Sequence, residues 1–170
     1  RPTHPLLKKL LVEAPGTYHH SLIVSQLAEQ AAQRIEADAL LVRVAAYYHD
    51  VGKTREPQSF VENQMDGINV HDALEPKASA GIVIDHVPRG IALAKKYGIP
   101  ERLREFIPQH HGTTLAAYFH RKAIKANGGS TLIDEKDYRY PGPKPQSRET
   151  AILMLADGVE ATTRAERPTT

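Results

Sequence analysis

The sequence reads as an all-α helical bundle with an irregular, proline-rich loop before its last helix. Two observations carry that reading. Apolar residues recur at helical spacing through most of the 170 residues, and no run alternates apolar with polar residues as a half-buried strand does. The punctuation agrees, because successive runs open at proline and close at glycine or asparagine.

The first predicted helix is 21–36, with Leu22, Ile23, Leu27, Ala31 and Ile35 on one face and Ser21 or Thr17 as its cap. A buried helix follows at 39–50, with Gly52 as its stop. Residues 53–74 carry Gly and Asn signals and read as an irregular loop. Helices at 76–86 and 88–97 each begin at a proline. The run 100–110 repeats that pattern, with Pro108 as a kink or end. A short helix at 113–126 closes on Asn127-Gly128-Gly129. Residues 128–146 are the least regular stretch and form an ordered loop or short hairpin. Ser147 caps the final helix, 147–165.

Composition narrows the function. The length fits one domain, 1–170, with 41% hydrophobic residues for its core. With no cysteine, thiolate metal sites, disulfides and cysteine nucleophiles are excluded. A formal charge of +2 gives no argument for a nucleic-acid partner, and no basic, aromatic face supports an RNA-binding module. No run approaches a membrane span. The chain starts at Arg1 without Met and reads as a domain excised from a longer protein.

The compositional oddity is nine histidines, four of them in the pairs His19-His20 and His110-His111. An adjacent imidazole and carboxylate, as in His49-Asp50, suit a borderline divalent metal. The dipeptide alone says little, since a second one stands at His71-Asp72, where capping of the next helix is the expected role. The stronger signal is the ordered set His20, His49, Asp50, His86, His110, His111 and Asp157.

That order resembles the HD hydrolase superfamily, and the His110-His111 pair with His86 marks its two-metal branch. The flanking text, EAPGTYHHS (13–21), YYHDVGK (47–53), QHHGTT (109–114), YRYPGPKPQ (138–146) and MLADGVEA (154–161), is similar to the cytoplasmic HD domain of the seven-transmembrane HD hydrolases. Those are membrane-bound bacterial cyclic di-AMP phosphodiesterases.

The resemblance implies an HD-domain bundle in which His20, His49, Asp50 and Asp157 hold one divalent ion. Asp50, His86, His110 and His111 would hold the other. Five imidazoles favour iron or manganese over magnesium. It implies hydrolysis of cyclic di-AMP to linear 5′-pApA by a metal-bridging hydroxide, on the cytoplasmic face of the inner membrane, with the full-length protein membrane-anchored. Spacing alone accepts His19 or His20; the family pattern selects His20 and leaves His19 as a candidate substrate contact. Lys53 is a candidate cation for the phosphate or transition state, with a surface lysine as the plain alternative. Tyr140 is a candidate nucleotide contact or part of a stapled loop.

Rival readings are hydrolysis of another cyclic dinucleotide or nucleotide ester, and a non-catalytic nucleotide sensor. The cyclic di-GMP branch carries Gly-Tyr-Pro after its His pair, whereas this chain has Gly112-Thr113-Thr114. A sensor would be expected to have lost ligands, and none of the seven is replaced.

Overall fold

The computed structural model describes residues 3–64, 67–129 and 132–166. Met65 and Asp66 of the 63–72 segment and Ser130 and Thr131 of the 128–146 stretch lie outside the described residues. Among those described, all regular structure is helical; Leu115 and Arg139 form an isolated antiparallel bridge.

Eight α-helices organise the described chain: α1 Pro5–Glu13, α2 Pro15–Arg34, α3 Ala39–Tyr48, α4 Pro76–Lys96, α5 Glu101–Arg104, α6 Phe106–Gln109, α7 Ala117–Ala126 and α8 Arg148–Ala165. Helix α1 is an addition to the elements expected from the sequence. It buries Leu6 and Leu10 completely, each worth about 1.5–3 kcal/mol of transfer free energy. His4 caps it: Nδ1 accepts from the Leu6 amide at 3.2 Å.

Helix α2 starts at Pro15, ahead of the expected start at 21. Thr17 and Ser21 are therefore buried inside the helix and do not cap it. The earlier start puts both His19 and His20 on helical turns. Neighbours there point about 100° apart, so His20 faces the interior while His19 is exposed.

Alanines set the distance between α2 and α3. Ala28, Ala32, Ala45 and Ala46 are fully buried, and Phe106, Ile152 and Leu153 complete that cluster from α6 and α8. A second cluster gathers Leu6, Leu10, Tyr48, Val51, Val87 and Ile107. Helix α3 contributes to both.

The expected loop 53–74 is a string of 3₁₀ turns, at Val51–Arg55, Pro57–Ser59, Val61–Asn63 and Val70–Ala73. Asn69 caps the last, accepting from the His71 amide at 3.0 Å. The two helices expected at 76–86 and 88–97 are one, α4, running through Pro88. An interior proline costs about 3 kcal/mol; burial of His86, Val87, Gly90 and Ala94 on both sides holds the halves in line. The run 100–110 breaks at Glu105 instead of Pro108. Pro108 falls in the first turn of α6, where its missing N–H has no partner to lose.

Helix α7 begins at Ala117 because Thr114 and Ala116 pair with the proline-rich loop. The Tyr140 amide donates to Thr114 O at 3.0 Å and the Ala116 amide to Tyr138 O at 2.7 Å. His120 is buried against Tyr138, because its face of α7, with Ala123, packs on Ala80 and Tyr138. Ser147 caps α8 with Thr150 in a reciprocal capping box, as the sequence predicts.

Candidate metal centre

His49 ends α3 in helical conformation, and Asp50 then leaves it at φ −109°, ψ 14°. This change swings the Asp50 carboxylate to the side of the His49 ring. The turn that follows touches α4: a Cβ on Gly52 would lie 1.8 Å from His86 O. Gly52 is thus a close-approach residue, since α3 has already stopped at Tyr48.

The structure gathers all seven predicted ligands into two groups sharing Asp50. One is Asp50, His86, His110 and His111; the other is His20, His49, Asp50 and Asp157. Asp50 Oδ1 faces His86 Nε2 at 3.2 Å and His110 Nε2 at 3.5 Å. Asp50 Oδ2 faces His49 Nε2 at 3.4 Å and His20 Nε2 at 3.6 Å. Asp157 Oδ1 lies 2.9 Å from His20 Nε2 and 3.6 Å from His49 Nε2. Metal–ligand bonds near 2.1 Å at octahedral or tetrahedral angles put neighbouring donors about 3.0–3.4 Å apart.

Two further observations test the fit to metal ions. His49, His86 and His110 each turn Nδ1 to the carbonyl three residues earlier, at Ala46 (2.7 Å), Val83 (2.6 Å) and Ile107 (2.6 Å). Nδ1 is then the donor, which leaves Nε2 as the ring nitrogen aimed at the centre, able to bind a metal once it carries no proton. His20 does the same through its Nδ1 contact with Glu160 Oε2. Second, His49 Nε2 and both Asp50 oxygens are buried without a hydrogen bond, and His86 Nε2 confronts His110 Nε2 at 3.4 Å. Facing lone pairs and orphaned carboxylate oxygens are costly in a closed site and natural around a cation. The donor set therefore fits divalent metal.

Five of the seven ligands are buried, while His111 and Asp157 are intermediate and mark the open side. Burial lowers His111, and the neighbouring His110 and His86 lower it further, so it stays a neutral donor. Burial also lowers His110. Burial opposes charge on His49, but Asp50 and Asp157 raise it to about 10. Burial opposes charge on Asp50 and Asp157 too; Lys53 and His49 hold the first, and His20 and His49 the second, well below the usual carboxylate range.

Lys53 lies against the centre, with Nζ 2.7 Å from Asp50 Oδ2 and 2.8 Å from Glu62 Oε1. The first contact is an ion pair whose direction makes no hydrogen bond. Nζ also sits 4.9 Å above the Phe60 ring. Tyr140 is only 8% exposed and stacks on His111, with centroids 4.1 Å apart and planes at 17°. His19 belongs to neither metal group. His71 lies outside both as well, its Nε2 bonded to Ser59 O at 2.8 Å.

Two residues of the site carry no label in the sequence pattern. Glu160 orients His20 and is itself held by Arg164 Nε at 3.2 Å. Its position three residues after Asp157, on the same helical face, was the available signal. Glu62 had no such signal, because it reaches the centre from an irregular turn.

A helical bundle with these two ligand groups defines a class. The HD domain family model matches residues 17–162, and the chain belongs to that family. It is 51% identical over 164 residues to the cyclic-di-AMP phosphodiesterase PgpH of Listeria monocytogenes serotype 1/2a (strain 10403S), covering 96% of this chain and 22% of that protein. The PgpH of Bacillus subtilis (strain 168) is likewise 51% identical, with 96% and 23% covered. The chain thus spans about a fifth of the length of these relatives. A ribonuclease Y of Thermus thermophilus is 32% identical over 136 residues, 80% of this chain and 19% of that one. Among solved structures, the L. monocytogenes PgpH HD domain in complex with cyclic-di-AMP superposes with a TM-score of 0.94 at 49% identity, covering 100% of this chain and 78% of that one. No described helix is long and apolar enough to cross a membrane.

Proposed function

We propose that this chain is the catalytic HD domain of a cyclic dinucleotide phosphodiesterase that hydrolyses cyclic di-AMP to linear 5′-pApA. The observation that carries the reading is the Asp50 carboxylate, each oxygen of which faces its own group of imidazoles. The likeness to PgpH across nearly the whole chain supplies the substrate class.

His20, His49, Asp50 and Asp157 would hold one divalent ion, and Asp50, His86, His110 and His111 would hold the other. Imidazole-rich shells favour iron or manganese. When bound, such a pair neutralises phosphate charge and lowers the pKa of water. The chain's own groups do the rest. Glu160 and three backbone carbonyls fix the ring orientations. Lys53 presents an ammonium beside Asp50 to the phosphate on the open side. Tyr140 holds His111 flat and shares its nucleotide-facing edge, and the exposed His19 is available to the substrate's outer half. Water adds to phosphorus, the bond to the 3′ oxygen breaks, and the proton count closes with a 3′ hydroxyl and a 5′ phosphate. The domain works in a membrane-anchored protein, at the cytoplasmic face of the inner membrane.

The test is an assay with manganese or ferrous iron, offering cyclic di-AMP, cyclic di-GMP, linear pApA and a short RNA side by side. Preferential conversion of cyclic di-AMP to pApA is expected. No cleavage of it, with both ions verified as bound, overturns the reading; faster cleavage of RNA would move the chain toward the ribonuclease relatives.

A further inference from the structure

We infer that Glu62 is the positioning residue for Lys53: it anchors the ammonium beside the metal pair once Asp50 is committed to the ions. This rests on the proposed metal-dependent reading of the site.

Lys53 Nζ stands between two carboxylates, Asp50 Oδ2 at 2.7 Å and Glu62 Oε1 at 2.8 Å. Only the second contact has hydrogen-bond geometry. Asp50 is a member of both metal groups, so its negative charge would be claimed by the ions. An ammonium whose side chain is only 12% exposed needs a counter-charge outside those groups to be held in place. Glu62 belongs to neither group and supplies that charge.

Glu62 is itself built in. Its Oε1 accepts from Thr17 Oγ1 at 3.0 Å, its Oε2 lies 3.8 Å from Arg164 Nη1, and Lys53 holds its carboxyl below the usual range despite burial. The next residue, Asn63, accepts from the Thr17 amide at 3.1 Å and donates to Thr17 Oγ1 at 2.8 Å. A Cβ on Gly16 would lie 1.8 Å from Glu62 O, so the backbones of α2 and the 61–63 turn touch directly. Through Arg164 the same cluster reaches Glu160 and His20. Glu62 thereby ties the lysine to the helices that carry the ligands.

The test is Glu62→Gln, which keeps the shape and the Thr17 bond but removes the charge. Metal content, helical circular dichroism and kcat/KM on cyclic di-AMP are measured for the parent, E62Q, E62D, K53M and K53M/E62Q. The expected result is two ions retained, kcat/KM lowered about ten- to hundredfold, the scale of a misplaced catalytic group, and part of it recovered in E62D. In the K53M background, E62Q should add nothing, as a shared pathway requires. A second readout needs no turnover: the rise in Tm on adding manganese to metal-free protein should be smaller in E62Q than in the parent, because loading sets the ions against an unanchored ammonium. Activity within twofold of the parent, equal and independent losses in the K53M background, or an unchanged metal-induced rise in Tm each overturns the inference. If the parent does not cleave cyclic di-AMP, the proposed substrate fails, and the melting comparison still decides the role of Glu62.

Discussion

His20 and Glu160 form a buried pair across α2 and α8, in which Nδ1 of the imidazole meets Oε2 of the carboxylate. The contact leaves Nε2 directed at Asp157 and Asp50. A candidate ligand is thus aimed by a residue that belongs to neither metal group.

Glu160→Ala should therefore loosen the ion held by His20, His49 and Asp157 more than its neighbour. Loss of such an orienting partner costs about ten- to hundredfold in metal affinity. Metal titration of the variant should resolve one weakened and one near-normal site. Equal affinities in variant and parent would show that the pair is only structural.

Asp50→Ala should remove both ions together and abolish turnover. The remaining ligands form two unconnected triads, and Lys53 loses its neighbour. The helical signal should persist, because the three apolar clusters do not include Asp50. Elemental analysis that finds one ion still bound at full occupancy would mean that Asp50 is not shared.

Gly52→Ala should destabilise the fold and disturb the centre at once. Its Cβ would meet the His86 carbonyl at 1.8 Å and the Gly90 amide nitrogen at 2.7 Å, both backbone. A cost of about 3 kcal/mol is typical of such a clash, and in a domain this size it lowers Tm by about 6–12 °C. A calorimetric Tm equal to the parent's would contradict the close approach of the 51–55 turn to α4.

Metal uptake should release protons. In the metal-free protein His49 keeps its proton up to about 10, against about 6.5 in an unfolded chain. That pairing stabilises the metal-free fold fully below about pH 6.5 and is lost as pH rises through about 10. An ion needs the neutral ring, so it displaces the proton, and apparent affinity climbs with pH across the neutral range. Calorimetry in two buffers of different ionisation enthalpy should show net release of about one proton near neutral pH. A pH-independent affinity would contradict it.

Much of the site was legible because ligand chemistry restricts residue type. An ordered set of histidines and aspartates, each with its own flanking text, points to His49, Asp50, His86, His110, His111 and Asp157 without coordinates, and the structure brings these residues together. Helix α8 was legible for a related reason, since Ser147 is a cap whose partner lies only three residues away. Local signals of that range survive in one dimension. Helix α1 is harder to read because its two fully buried leucines, Leu6 and Leu10, are few and are flanked by prolines and lysines. The division expected at Pro88 is absent because a proline's local penalty is outweighed by long-range burial of Val87 and Ala94.

The histidines and aspartates, their order and the helical periodicity were written in the chain, since each depends on the chemistry of a residue and its near neighbours. The choice of His20 over His19 on physical grounds, the splitting of one carboxylate between two imidazole groups, the burial of Lys53 against Glu62 and the aiming of His20 by Glu160 were settled in three dimensions. Each joins residues far apart in sequence, such as His20 and Glu160, which stand 140 positions apart, and no periodicity or spacing encodes which of two buried charges will face which.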